Sequence, residues 1–157
     1  MRTVSRRVLD AFVAACRDIA RRDLVRCSSG NLSLRLDRER MLIKASRSWM
    51  ERLTRADVSV CRIADGRLLH GRKPSVEIGF HSGVLRARPD VGVVLHAQPP
   101  AATAVACRRG RRNWAVIPEV PFYIGPVARV PYLLPGSRAL SEAVVEALRD
   151  HDLAVLD

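Results

Sequence analysis

Residues 28–43 read Ser28-Ser29-Gly30-Asn31-Leu32-Ser33-Leu34-Arg35-Leu36-Asp37-Arg38-Glu39-Arg40-Met41-Leu42-Ile43. Leu32, Leu34 and Leu36 alternate with Ser33 and Arg35, the period-two signature of a half-buried strand. The polar stretch 37–40 is a turn, and Met41-Leu42-Ile43 returns as a second strand. Val58-Ser59-Val60-Cys61-Arg62-Ile63 alternates again. Ala64-Asp65-Gly66-Arg67 follows it with the Asp-Gly pair that the positive φ of a hairpin turn demands. These runs predict an antiparallel sheet.

The flanks supply helices. Across residues 4–22, Val8, Phe12, Ala15, Cys16 and Ile19 recur at three- and four-residue spacing, and Thr3 stands where a cap belongs. Lys73-Pro74-Ser75 opens a second helix with Ser75 as its N-cap, bounded at the far end by Pro89. Val91-Gly92-Val93-Val94-Leu95 is a continuous apolar run and reads as a central strand that delivers His96-Ala97-Gln98 at its end. Pro99-Pro100 stops that strand and starts a helix over 101–107. The prolines at 118, 121, 126, 131 and 135 fit short edge strands and loops better than any helix. Ser137 caps a last helix whose stripe is Leu140, Val144 and Leu148, and Leu153-Ala154-Val155-Leu156 reads as one more buried strand.

A chain of 157 residues and 17.4 kDa, 48% hydrophobic, fits one domain that holds a core without staples. The 27 basic residues outnumber 16 acidic ones, and all but Lys44 and Lys73 are arginines. That charge raises nucleic acid as a partner. The arginines are scattered, however, with one dense cluster at Arg108-Arg109-Gly110-Arg111-Arg112, and aromatics at 4% leave few stacking platforms. No apolar run approaches the ~20 residues of a membrane span. The N-terminus lacks an uninterrupted signal core, so the expectation is a soluble cytoplasmic protein with no membrane partner. Cys16, Cys27, Cys61 and Cys107 form no C-x-x-C and read as small buried thiols in a reducing compartment.

Three places carry chemistry. Ser28-Ser29-Gly30-Asn31 offers hydroxyls and exposed N–H groups that can cradle an anion, although a Gly-Asn pair is also an ordinary turn. Glu77 and His81 lie four apart, a relay or a structural pair. His96 and Gln98 share one strand face; an imidazole is a good zinc ligand and a neutral amide oxygen a poor one.

The order of these segments, continued by Ser46, Arg88-Pro89-Asp90, Ala101-Ala102-Thr103-Ala104, Pro131-Tyr132 and Gly136-Ser137-Arg138-Ala139-Leu140, resembles the class II aldolase/adducin family over nearly the whole chain. The resemblance implies a three-layer α/β/α fold with a central, mostly antiparallel sheet. It implies a homotetramer that binds zinc or another divalent ion and acts on a small phosphorylated sugar by aldol cleavage through an enediolate. On the matching positions Ser28, Gly30, Asn31, Ser46 and Ser75 would hold the phosphate, and Glu77 would be the acid/base group, its pKa raised toward neutral by desolvation. His96 and, more weakly, Gln98 would hold the metal. The family's second histidine is Gln98 here, its glycine after Ser46 is Arg47, and Val76 replaces a second serine. The third metal histidine and the family's C-terminal segment would follow Asp157, so residues 1–157 read as a single domain lacking that segment. Two readings follow: an enzyme, which requires Glu77 and His96 to line one cleft, and a non-catalytic scaffold like the adducin head domain.

Overall fold

The structure is a computed structural model and describes residues 3–108, 110 and 113–157. In chain order it forms α1 (Arg6–Arg21), β1 (Asn31–Arg35), β2 (Arg40–Lys44), β3 (Val58–Arg62), β4 (Leu68–His70), α2 (Ile78–Ala87), β5 (Val93–His96), α3 (Pro100–Ala106), β6 (Val127–Val130), α4 (Arg138–Ala147) and β7 (Leu153–Leu156). The first five strands make one antiparallel sheet in the order β4-β3-β2-β1-β5, while β6 and β7 pair in parallel as a second, two-stranded sheet.

The centre of the large sheet is β2, whose Met41, Leu42 and Ile43 are all fully buried. Because successive side chains leave a strand on opposite faces, these residues serve two cores. Leu42 joins Leu32, Val58 and Val60 against Phe12, Val13 and Cys16 of α1. Met41 and Ile43 join Cys61 and Val94 against Phe80, Val84 and Leu85 of α2 and Leu140 and Val144 of α4. Helices thus cover both faces of the sheet, the three-layer arrangement that the resemblance implied.

Several local expectations shift. The cap of α1 is Ser5 rather than Thr3, its hydroxyl accepting from the Val8 N–H at 3.3 Å, and Val13 rather than Ala15 fills the buried stripe. Ser75 does not cap α2 directly. It closes a turn ahead of the helix, with the Ile78 N–H on its carbonyl at 3.1 Å, and Glu77 takes the N-cap position. The strand at 93–96 is an edge and not the centre: it pairs with β1 alone, Val94 faces α2, and Val93 and Leu95 are 50% and 41% exposed. The strand β7 is half-exposed instead of buried, and a π-helical turn at Val120–Ile124 interrupts the proline-rich stretch. Cys16 and Cys61 are buried, where desolvation pushes each thiol up to about 12, but Cys27 and Cys107 are exposed. Of the basic cluster, Arg109, Arg111 and Arg112 lie outside the described residues. Among the described residues no helix is long and apolar enough to cross a membrane.

Two backbone positions bear on the loops around the sheet's end. At Gly30 φ is +63°, and a Cβ there would sit 2.4 Å from Val25 Cγ1 and 2.7 Å from the His96 carbonyl oxygen. The glycine is needed because the chain before β1 passes directly against the end of β5. Gly30→Ala is expected to cost about 2–4 kcal/mol in a urea titration, from overpacking plus a disfavoured φ; a loss below about 1 kcal/mol contradicts this. Arg47, where the resemblance implied a glycine, takes the left-handed conformation at φ +62°. Arg47→Gly should therefore raise stability by about 1 kcal/mol, and a decrease contradicts the strain argument.

His81 on α2 is fully buried, with Ser33 Oγ 2.8 Å from its Nδ1. Desolvation pushes its pKa from 6.5 down to about 3. A histidine whose folded pKa is lowered leaves the unfolded state binding the extra proton, so stability is full above pH 6.5 and declines as pH falls toward 3. The slope from this one proton reaches at most about 1.4 kcal/mol per pH unit. Urea midpoints measured from about pH 7 to about pH 5, above the carboxylate range, should fall in the wild type and stay flatter in His81→Gln; equal slopes contradict the assignment.

Candidate functional site

In the β1–β5 register Asn31 lies opposite His96 and Ser33 opposite Val94. All four side chains therefore leave the sheet on the α2 side. The row reads as polar in the sequence, yet it meets the start of α2, and Asn31 and Ser33 are buried. Glu77, at the α2 N-cap, is driven into this layer because the chain just before it is fixed to β2: Ala45 bridges Pro74, and the Ser75 N–H donates to the Lys44 carbonyl at 3.1 Å.

Asn31 Nδ2 donates to Glu77 Oε2 at 2.7 Å, and His96 Nδ1 lies 2.6 Å from the same oxygen. Asn31 Oδ1 meets His81 Nε2, whose other nitrogen faces Ser33. Phe80 walls the group, stacked on His81 with centroids 4.6 Å apart and edge-on to His96 at 5.8 Å. Burial pushes the Glu77 carboxyl upward, but the hydrogen bond and charge of His96 and the Asn31 amide outweigh it, and the net shift is downward. The expectation of a carboxyl raised toward neutral is thereby corrected. Donors aimed at the ionised form overcome desolvation, and Glu77 is a carboxylate at neutral pH.

The serine loops meet at a residue that the motif reading passed over. Lys44, 2% exposed at the inner end of β2, donates from Nζ to the carbonyls of Ser28 at 2.9 Å and Ser48 at 2.7 Å. The Ser46 N–H donates to the Lys73 carbonyl at 2.9 Å. The loops of Ser28 and of Ser46–Ser48 thus meet at one buried ammonium, which burial holds below the usual lysine pKa, and the Ser75 N–H is tied to the same residue's backbone carbonyl. The signal was a lysine closing an otherwise apolar run, Met41-Leu42-Ile43-Lys44, between two serine-bearing loops. Ser28 is exposed, Ser46 half-buried and Ser75 buried. The Asn31 side chain, by contrast, is directed into the Glu77 network.

The described residues supply only part of a donor set for a divalent ion. His96 donates through Nδ1 to a carboxylate and so has Nε2 for a metal, the usual outer-shell pattern. Gln98 is exposed and brings only a neutral amide oxygen. Among the described residues no three His, Cys, Asp or Glu groups cluster, and a catalytic zinc takes three protein ligands. A cavity of about 480 Å³ between Arg88, Pro121, Tyr123 and His151 shares no lining residue with the Glu77 network.

Comparison with known proteins agrees with this architecture. The chain is 35% identical over 118 residues to the 3-oxo-tetronate 4-phosphate decarboxylase of Haemophilus influenzae, covering 73% of this chain and 56% of the relative. It is 31% identical over 144 residues to the methylthioribulose-1-phosphate dehydratase of Yersinia enterocolitica, covering 92% of this chain and 64% of the relative. The chain thus spans between half and two thirds of the length of these curated relatives. Among solved structures, YgbL of Escherichia coli superimposes with a TM-score of 0.87 at 28% identity, over 95% of this chain and 73% of that one. An L-fuculose 1-phosphate aldolase gives 0.87 at 25% identity, over 98% and 72%. Residues 10–157 match the Class II Aldolase and Adducin N-terminal domain, and the chain belongs to that family.

Proposed function

We propose that the chain is part of an enzyme that binds a small phosphorylated sugar or sugar acid and cleaves a bond next to its carbonyl. The observation that carries this reading is the meeting of Glu77, Asn31 and His96 in one buried hydrogen-bonded group, from positions 46 and 19 residues apart. A scaffold has no use for a carboxylate held ionised in a half-closed layer, which is costly unless employed. Aldol cleavage, decarboxylation beside a ketone and the first step of dehydration share one demand: charge develops on an enediolate or enolate while a base takes or returns a proton. Glu77 is the base in this reading, and His96, its N–H on Glu77 Oε2, orients it. The loops of Ser28, Ser46 and Ser75, anchored from below by the buried Lys44, take the phosphate, which supplies remote binding energy to place the reacting carbon. The names of the curated relatives favour decarboxylation or dehydration over aldol cleavage for this chain.

The full-length protein incubated with 3-oxo-tetronate 4-phosphate, methylthioribulose 1-phosphate and fuculose 1-phosphate should release carbon dioxide, water or an aldehyde from one of them. Glu77→Gln should lower kcat at least about 100-fold while near-ultraviolet dichroism stays native. Turnover of none of them, or a Glu77→Gln enzyme within about threefold of wild type, contradicts the reading. We infer also that the chain assembles with copies of itself. Phe122 and Tyr123, 81% and 77% exposed, give an apolar surface suited to a second subunit, and sedimentation of the full-length protein as a monomer at micromolar concentration overturns this.

A further inference from the structure

We infer that His81 is a positioning residue: its Nε2–H fixes the orientation of the Asn31 amide, and through it the oxygen that Glu77 presents to a reacting atom. The inference rests on the reading of Glu77 as the proton-transfer group and goes further by assigning a direction to every hydrogen bond behind it.

The directions follow from what each group can donate. An ionised carboxylate only accepts, so the Asn31 atom 2.7 Å from Glu77 Oε2 is the NH₂ group. Turning the amide over would set its carbonyl against the carboxylate. With NH₂ toward Glu77, Asn31 Oδ1 faces His81 Nε2, and an oxygen acceptor requires the proton to be on that nitrogen. His81 is wholly enclosed and neutral, so a proton on Nε2 leaves a lone pair on Nδ1, and Ser33 Oγ at 2.8 Å donates to it. The chain of donation then runs one way, from Ser33 through His81 and Asn31 to Glu77.

The consequence lies at the far end. Both bonds to Glu77, from Asn31 and from His96, fall on Oε2. Among the described residues no hydrogen bond falls on Oε1. One oxygen is held and the other is left for the proton in transit. Asn31 alone would not secure this, since an amide turns over readily when its neighbours allow. His81 could follow such a turn only by moving its proton to Nδ1 and onto Ser33 Oγ, which would still leave the Asn31 carbonyl against the Glu77 carboxylate; with the proton on Nε2, His81 holds Asn31 Oδ1 and opposes the turn.

The test reads the tautomer directly. The chain has four histidines and three side-chain amides, Asn31, Gln98 and Asn113, so imidazole nitrogens and amide protons are separable by NMR of the ¹⁵N-labelled protein. His81 is expected to be neutral at pH 7 with its proton on Nε2, and one Asn31 amide proton is expected to exchange slowly. A proton on Nδ1, a charged ring at pH 7, or rapid exchange of both Asn31 amide protons overturns the inference. His81→Leu, which cannot donate, should expose both Asn31 amide protons to exchange and lower kcat about tenfold or more with KM within about twofold. His81→Gln, whose amide can donate to Asn31, should restore protection and part of kcat. Unchanged Asn31 protection in His81→Leu, or no recovery in His81→Gln, counts against the role. Should His81→Leu not fold, the wild-type tautomer and His81→Gln decide. Should no substrate be turned over, the functional reading fails while the nitrogen spectrum still decides the role of His81.

Discussion

The Asn31–Glu77 hydrogen bond sets the arrangement of everything near it. A carboxylate that is nine-tenths buried persists as an ion only where donors point at it, because desolvation alone would neutralise it. Asn31 reaches Glu77 because β1 turns it toward the start of α2, and Glu77 reaches Asn31 because the segment before α2 is tied to the end of β2. Sheet, helix and loop thus hold one polar group in a layer otherwise filled by Met41, Ile43, Phe80 and Val94. The apolar residues supply rigidity, and the polar row supplies direction.

Charge is organised on the same principle elsewhere. Lys44 replaces water for two loop carbonyls, so its burial is satisfied and it also anchors the loops. Arg35 donates to the carbonyls of Leu85, Arg88 and Val91 at the end of α2, completing acceptors that a helix terminus leaves open. Arg88 bonds Asp90 and Asp152 and so ties the entry of β5 to that of β7. The remaining surface pairs, such as Arg22 with Asp18 and Arg138 with Glu142, are exposed and add little stability. Among the described residues the arginine excess is thus for the most part a solvated surface, with a few guanidinium groups turned inward to finish backbone.

The sheet was legible in the sequence because alternation in 32–36, 41–43 and 58–63 is a direct record of the two faces of a strand. The helix stripes and the Ser137 cap were legible for the same local reason. What misled was the assumption that a polar face is a wet one. Ser33 and Asn31 alternate with leucines as solvent-facing residues do, yet they point into a closed layer, since period two reports a face and not what covers it. The apolar run before His96 looked central, but rank in a sheet is a matter of pairing across the chain, and only Val94 of β5 is buried. Ser75 resembled a cap because caps and turns use the same residue chemistry. Lys44 looks like any surface lysine in the sequence, because its burial is visible only once the loops that it bonds are in place. Glu77 and His96 stand out in the sequence, and the enzyme reading expects them to share one cleft; the hydrogen bond between them, and Asn31's part in it, is visible only in the fold.

Gly30 abuts the His96 carbonyl so tightly that no side chain fits between them. The Asn31–His96 pairing of β1 with β5 holds the two strand ends together, and the close approach at Gly30 packs the serine-bearing turn against them. If that turn grips a phosphate, as proposed, the distance from grip to imidazole is set by main-chain packing and strand pairing rather than by side chains.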